Sequence, residues 1–159
     1  MKKVRTLYIY VCMLGLATLI GCQDNLYHSS FQDLPQQRWD NQDTISFSIP
    51  PSEEDLDVFF TLALRTSSSF KYKDVVMCID LLEGDSIIYS APLDVLISDN
   101  TRQTHSDFMY HECYSPRHPL RMKSQVSYTV RLTHAMRLNP LERISSVGVF
   151  VEKSDSAKR

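Results

Sequence analysis

Short runs of strict period-two alternation between apolar and polar residues constrain this chain more than any other feature. Val126, Tyr128, Val130 and Leu132 give the cleanest example, and Ile45, Phe47 and Ile49 alternate with Thr44, Ser46 and Ser48. Side chains of an extended strand point alternately to opposite faces, so this pattern describes strands with one face buried. Val58, Phe60, Leu62 and Leu64 repeat it, as do Leu93, Val95 and Ile97, and then Val147, Val149 and Val151. Val75 to Leu82 is an apolar run broken by Asp80; Glu83-Gly84-Asp85-Ser86 turns it into Ile87 to Ser90, a hairpin signature. Phe108 to Cys113 is a weaker strand ended by Ser115-Pro116-Arg117-His118-Pro119.

Helical signal is scarce. Ser52 to Leu56 resembles a capped first turn with no room to continue, and Thr133 to Leu138 can form one turn before Asn139-Pro140. About eight short strands with regular turn punctuation predict an all-β fold, an antiparallel β-sandwich, with a closed barrel as the alternative.

The first 22 residues have a different character. Lys2, Lys3 and Arg5 precede an apolar run from Leu7 to Ile20, 14 residues long. That is short for a bilayer span and suits a signal-peptide core. It ends in Leu19-Ile20-Gly21-Cys22, which looks like a lipobox: a small residue for the peptidase, then the thiol that accepts the lipid. The competing readings are an N-terminal anchor or an ordinary secretory signal followed by a chance cysteine. The expected organisation is a signal over 1–21 and one domain over 22–159, tethered to a membrane through lipidated Cys22 on the periplasmic face or at the outer membrane. Aromatic residues begin about five residues after Cys22, so the domain rides close to the bilayer.

Without that signal the chain keeps 14 basic and 19 acidic residues, a formal balance of −5. Nothing in that charge favours nucleic acid or anionic lipid. Two cysteines remain besides Cys22. Cys78 and Cys113 either close a loop of about 35 residues, worth roughly 2–4 kcal/mol, or stay as separate buried thiols. Only Gly84 and Gly148 survive in the body, which excludes a glycine-rich phosphate loop.

Catalytic and metal signatures are weak. His105, His111 and Cys113 fall close together, but on a strand Glu112 points away from its neighbours and no second ligand pair completes a site. No Gly-x-Ser-x-Gly elbow exposes a nucleophile. The expectation is a non-enzymatic protein with no cofactor and no metal. Tyr27, Phe31 and Trp39, and later Phe70 and Tyr72 after Ser67-Ser68-Ser69, offer two readings. They form an exposed aromatic surface for a partner or glycan, or Trp39 and Tyr27 close one end of the sandwich. Asp43-Thr44-Ile45, Asp85-Ser86-Ile87 and Asp155-Ser156-Ala157 are similar to the acceptor motif of a periplasmic O-glycosylation system, which makes Thr44, Ser86 and Ser156 candidate acceptors.

The order of these features resembles the gliding-motility lipoproteins of the GldH type. The likeness runs from Cys22 and Tyr27 through Trp39, Asp43-Thr44-Ile45-Ser46-Phe47-Ser48-Ile49, Leu64-Arg65, Phe70-Lys71-Tyr72 and the run from Val75. Its most specific part is late: Tyr128-Thr129-Val130, Ala135-Met136-Arg137, Ile144, Val147-Gly148-Val149 and Glu152-Lys153. Between Ser98 and Ser124 the chain departs, with Asp99-Asn100-Thr101-Arg102-Gln103-Thr104 and the His/Cys segment in place of a Gly- and Trp-containing stretch. The resemblance implies an envelope lipoprotein, an accessory or assembly component of a motility and secretion complex with protein partners there, and no catalytic residues to carry over. The alternative is a lipid-anchored carbohydrate- or protein-binding module unrelated to movement. Trp39 and Arg137 are the residues to follow, as a partner contact or as a structural pair, since a guanidinium binds carboxylates and carbonyls in a bidentate fork.

Overall fold

The computed structural model describes residues 25–97, 102–103 and 110–154. In chain order its strands are β1 (Leu26–Asp33), β2 (Arg38–Trp39), β3 (Ile45–Ile49), β4 (Leu56–Ser67), β5 (Asp74–Glu83) and β6 (Ser86–Leu96). They continue as β7 (Arg102–Gln103), β8 (Tyr110–Tyr114), β9 (His118–Met122), β10 (Tyr128–His134), β11 (Leu141–Glu142) and β12 (Ile144–Lys153). The larger sheet runs β1-β12-β4-β8-β7, with β9 also on β4; the smaller runs β3-β10-β5-β6. A two-residue ribbon, β11 with β2, sits apart. All pairings are antiparallel.

The sandwich forms because each sheet turns one apolar face inward. Val58, Phe60, Leu62 and Leu64 of β4 join Val147, Val149 and Val151 of β12. They share one buried cluster with Ile45, Phe47 and Ile49 of β3, Val75, Met77, Ile79 and Leu81 of β5 and Tyr128, Val130 and Leu132 of β10. Burying each such side chain fully stabilises the fold by about 1.5–3 kcal/mol. β10, central in its sheet, shows the alternation from end to end, with Tyr128, Val130, Leu132 and His134 buried and Thr129, Arg131 and Thr133 half-exposed.

Several strands extend or correct the sequence reading. β6 is one strand of 11 residues, where two were expected, and it passes through Pro92. As the outermost strand of its sheet it tolerates a residue with no N–H to donate. The Ser115–Pro119 break is real but brief. β8 pairs with Ala63–Ser67 and β9 with Leu56–Phe60, end to end along the same side of β4. Ser115 bridges the gap, its N–H donating to the Leu62 carbonyl at 2.9 Å and its Oγ accepting the Leu62 N–H at 2.9 Å. The helical turn expected over Thr133–Leu138 is replaced by strand to His134 and then loop. At Ser52 the hydroxyl accepts the Glu54 N–H at 3.4 Å, a local turn and not a helix start.

Cys78 and Cys113 are both free, which corrects the possible disulfide. Cys78 is exposed on the outer side of β5, whereas Cys113 lies in the core on β8 of the other sheet. Packed sheets stand about 10 Å apart and a disulfide needs Cα atoms within about 7 Å, so an outward and an inward thiol on different sheets cannot meet. The Cys113 thiol points at the Ile97 carbonyl, 3.7 Å away.

The molecule has two distinct ends. At one, Lys153 N–H donates to the Asn25 carbonyl at 2.7 Å, Gln125 N–H to Ser52 at 2.8 Å and Gly84 N–H to Ser127 at 3.1 Å. Asn25 lies three residues past Cys22 in the sequence, so this is the near end. At the far end, Leu34 N–H donates to Ser145 at 2.8 Å, Arg143 N–H to Gln37 at 2.7 Å and Ser67 N–H to Arg143 at 2.9 Å.

Candidate partner-binding site

The far end is built from two segments that are distant in sequence. After β4, Ser67 starts a tight turn in which Phe70 N–H donates to the Ser67 carbonyl at 2.9 Å and Ser69 N–H to its Oγ at 3.2 Å. The turn aims Phe70 and Tyr72 at each other, edge to face, with ring centroids 5.3 Å apart. After β10, the chain passes Arg137 and Leu138, takes a cis peptide at Asn139-Pro140, and enters the ribbon. Arg143 leaves the ribbon with φ at +72°, in the left-handed region, and its side chain donates to Ser69 Oγ. That bond ties the two segments together.

Between them lies a pocket of about 290 Å³, lined by Phe70, Lys71, Tyr72 and the stretch from Leu138 to Arg143. Leu138 is among the most exposed apolar residues of the described chain, at 54 %. Arg137 is exposed too, and no ion pair involves it among the described residues. Phe70 and Tyr72, singled out in the sequence, thus line this pocket, while Arg137 only precedes its Leu138–Arg143 wall in the chain. Leu138, Asn139, Pro140 and Arg143 were not anticipated there. The Asn139-Pro140 pair was their only signal, and it read simply as a helix stop.

The floor of this end is buried and hydrogen-bonded. Trp39 is fully buried and opposite Leu141 on the ribbon, its indole N–H donating to the Asp43 carbonyl at 3.0 Å. It meets His134 edge-on at 5.4 Å, and His134 Nε2 lies 3.1 Å from the Trp39 carbonyl. Burial pushes the His134 imidazole below its ordinary pKa, partly opposed by the Trp39 carbonyl. Asn139 donates to Asp40 at 3.1 Å and accepts the Asn41 N–H at 2.8 Å. The Gln42 N–H and then Asn139 hold the Asp40 carboxyl below the usual range. Trp39 therefore supports the site from beneath instead of touching a partner. Tyr27, expected beside it, sits at the near end, its hydroxyl donating to the Pro50 carbonyl at 3.0 Å.

A second cluster covers the outer face of the larger sheet. Register aligns Phe31, Gly148, Ala63 and Tyr114 across four strands, β1, β12, β4 and β8. The aromatic rings at the two sides lean over the small residues between them. Phe31 meets Phe150 at 5.5 Å, Tyr114 meets Phe150 at 5.9 Å, and the Arg65 guanidinium stands 3.8 Å from the centre of the Phe31 ring. Arg65 also pairs with Glu112 at 3.2 Å, and Glu112 accepts the Tyr114 hydroxyl at 2.6 Å. With its carboxylate committed there, Glu112 does not join Cys113 as a ligand. Among the described residues no three His, Cys, Asp or Glu side chains gather around a metal-sized space; His105 lies outside them.

Of the candidate modification sites, Thr44 is exposed just before β3 and Ser86 is exposed as β6 begins. Cys22 and Ser156 lie outside the described residues.

Residues 26–151 match the model of the family described as GldH lipoprotein. The chain belongs to that family. The match spans both sheets and the far-end pocket. It makes the protein a lipoprotein of the gliding-motility type, associated with the cell envelope, and the family is not a known enzyme family. No curated protein sequence is significantly similar to the chain. Among solved structures it is similar to Xyl-CBM35, solved with a disaccharide containing glucuronic acid. That likeness is at 12 % identity and TM-score 0.40, covering 82 % of this chain and 81 % of the other. It is also similar to latent PorU from Porphyromonas gingivalis, at 10 % identity and TM-score 0.36, over 87 % of this chain and 14 % of that one. A CocE/NonD family hydrolase from Staphylococcus aureus is similar at 9 % identity and TM-score 0.35, over 80 % of this chain and 31 % of the other.

Proposed function

We propose that this GldH-family lipoprotein is a non-enzymatic accessory or assembly component of an envelope motility and secretion complex, held to its membrane by acyl chains on Cys22. The observation that carries the reading is the arrangement of the two ends. Asn25, three residues past Cys22 in the sequence, lies at one end, and the pocket between Phe70, Tyr72 and Pro140 opens at the other. Three residues of extended chain reach about 10 Å, so a lipid on Cys22 keeps the near end against the bilayer. The far end then faces away from the membrane, where an envelope partner can reach it. A rigid sandwich of this kind serves as a spacer that sets the height and orientation of a docking site.

The test is an affinity pull-down of the tagged protein from gently solubilised envelopes, read by mass spectrometry, with Cys22→Ala as control. The reading requires motility or secretion components in the wild-type sample and their loss when the lipid is removed. A sample without such components, or one dominated by glycan-handling proteins, would instead favour a binding module unrelated to movement.

A further inference from the structure

β6 is the outermost strand of the smaller sheet and pairs only with β5. Its other edge carries a row of backbone N–H and C=O groups that meet no backbone partner among the described residues. Such an edge is a template for a further strand, and most proteins blunt it with charge, proline or short length. β6 is guarded lightly. It runs 11 residues, with Pro92 and Asp94 towards its end and no charge from Ser86 to Leu93. The register shifts where Leu81 and Leu82 face Tyr89 and Ile87, leaving Ile88 as the extra residue. That bulge breaks the alternation and leaves three successive apolar side chains in solvent, Ile87, Ile88 and Tyr89. With Leu96 they make four of the six exposed large apolar residues of the described chain. An apolar open edge is satisfied by an extended backbone that brings apolar side chains of its own, the mode of strand addition.

Charge decides which strand fits. Neither β5 nor β6 carries a Lys or Arg. Of the carboxylates around them, Asp80 is paired with Arg131 at 3.6 Å and Glu83 with Lys123 at 2.7 Å, and Asp74 directly follows Lys73 in the chain. Asp85 and Asp94 remain, both exposed and in no ion pair among the described residues. They bracket the uncharged run. An antiparallel second copy that set Ser86 opposite Leu93, and so paired the whole run with itself, would place Asp85 of each copy opposite Asp94 of the other. Like charges directly opposite destabilise a strand pair. A different strand with a cation at each end removes that penalty and gains two attractive cross-strand pairs.

We propose that the open edge of β6 accepts an extended segment of a partner protein, with Lys or Arg against Asp85 and Asp94 and uncharged, β-branched or apolar residues between. This contact uses none of the residues that line the far-end pocket, so it stands or falls apart from docking there.

The test uses the full lipidated protein in detergent and the fluorescence anisotropy of labelled ten-residue peptides. Each alternates valine and threonine over its eight inner positions. The first has lysine at both ends, the second has glutamate there, and the third is the lysine peptide N-methylated at every inner amide. The lysine peptide binds about ten-fold more tightly than the glutamate peptide, and Asp85→Lys with Asp94→Lys inverts that order. The N-methylated peptide does not bind, because it cannot complete the ladder. Hydrogen exchange read by mass spectrometry slows across residues 86–94 when the lysine peptide is bound, and β1, at an edge of the larger sheet, is unchanged. Thermal melts establish that the double variant folds; the comparison of the three peptides on the wild-type protein stands without it. Absent binding, equal binding of the lysine peptide and either control, or protection at β1 in place of β6 overturns the proposal. A protein that dimerises on its own through β6 and excludes the peptide overturns it in favour of a second copy. Failure of the pull-down to recover motility or secretion components would sink the accessory role and leave peptide binding at this edge unaffected.

Discussion

The ring of Phe31 packs directly over Gly148, so closely that a Cβ on that glycine would fall 2.5 Å from the nearest ring carbon. Real Cβ atoms do not approach so closely, and Gly148 does not have a positive φ, so space and not backbone freedom demands glycine here. This gives a physical reason for the Val-Gly-Val strand that carries the strongest part of the family resemblance. Gly148→Ala is therefore expected to destabilise the fold by about 1–3 kcal/mol, the usual range for overpacking. Phe31→Leu should recover part of that loss, because the smaller side chain vacates the contested volume. A double-mutant cycle in urea reads the coupling, and additive single effects would contradict the packing.

The two thiols should differ sharply in reactivity. Burial, with a smaller contribution from Glu112, pushes the Cys113 thiol up to about 11, so it stays protonated and enclosed at neutral pH. Cys78 is exposed. A water-soluble maleimide should label Cys78 within minutes in the native protein and Cys113 only after denaturation. Intact mass without reductant should show no loss of two hydrogens. Equal labelling of both residues would mean that the β8 edge opens readily.

Thr44 and Ser86 are accessible for modification, each preceded by aspartate and followed by isoleucine. Protein isolated from its own envelope is expected to carry a glycan mass on one or both, and on Ser156 in the tail. Thr44→Ala and Ser86→Ala should each remove one increment with little change in stability, since exposed side chains away from packing rarely matter by more than about 0.5 kcal/mol. A native mass equal to that of the lipidated chain alone would refute the idea.

The core strands were legible because alternation survives wherever one face is buried and the other half-wet, as on β3, β10 and β12. β1 was not, since Leu26–Asp33 buries none of its residues fully and is held by its backbone ladder to β12. Backbone pairing leaves no hydrophobic period to read. β9 was hidden by Pro119, which suggests a break unless the strand lies at an edge. On β4, Thr61 and Ala63 are buried although they face outward, because the Phe31, Phe150 and Tyr114 rings cover that face. The pocket has a similar history. Its aromatic half and the Asn139-Pro140 pair were visible as separate segments, but only the fold shows that about 70 intervening residues return the chain to the same corner.

Stability should fall on mild acidification because of the support beneath the pocket. His134 is 3 % exposed, and its Nε2 meets the Trp39 carbonyl, which can only accept; the buried ring is thus neutral with its proton on Nε2. Burial lowers its pKa in the folded state, and burial likewise lowers that of His118, stacked on Phe60. In the unfolded chain both titrate near about 6.5. Below that pH the unfolded state binds more protons than the folded one, so acid favours unfolding until the folded pKa values are passed. The stabilisation is complete above the unfolded pKa and is lost as the pH drops from about 6.5 towards those lowered values. Urea midpoints measured from pH 8 to pH 5 should therefore decline, and His134→Gln should flatten the slope even while lowering the midpoint at pH 8. An unchanged slope in that variant would assign the acid sensitivity to His118, because the lowered pKa of Asp40 places its own loss of stability at more acidic pH, below the measured range.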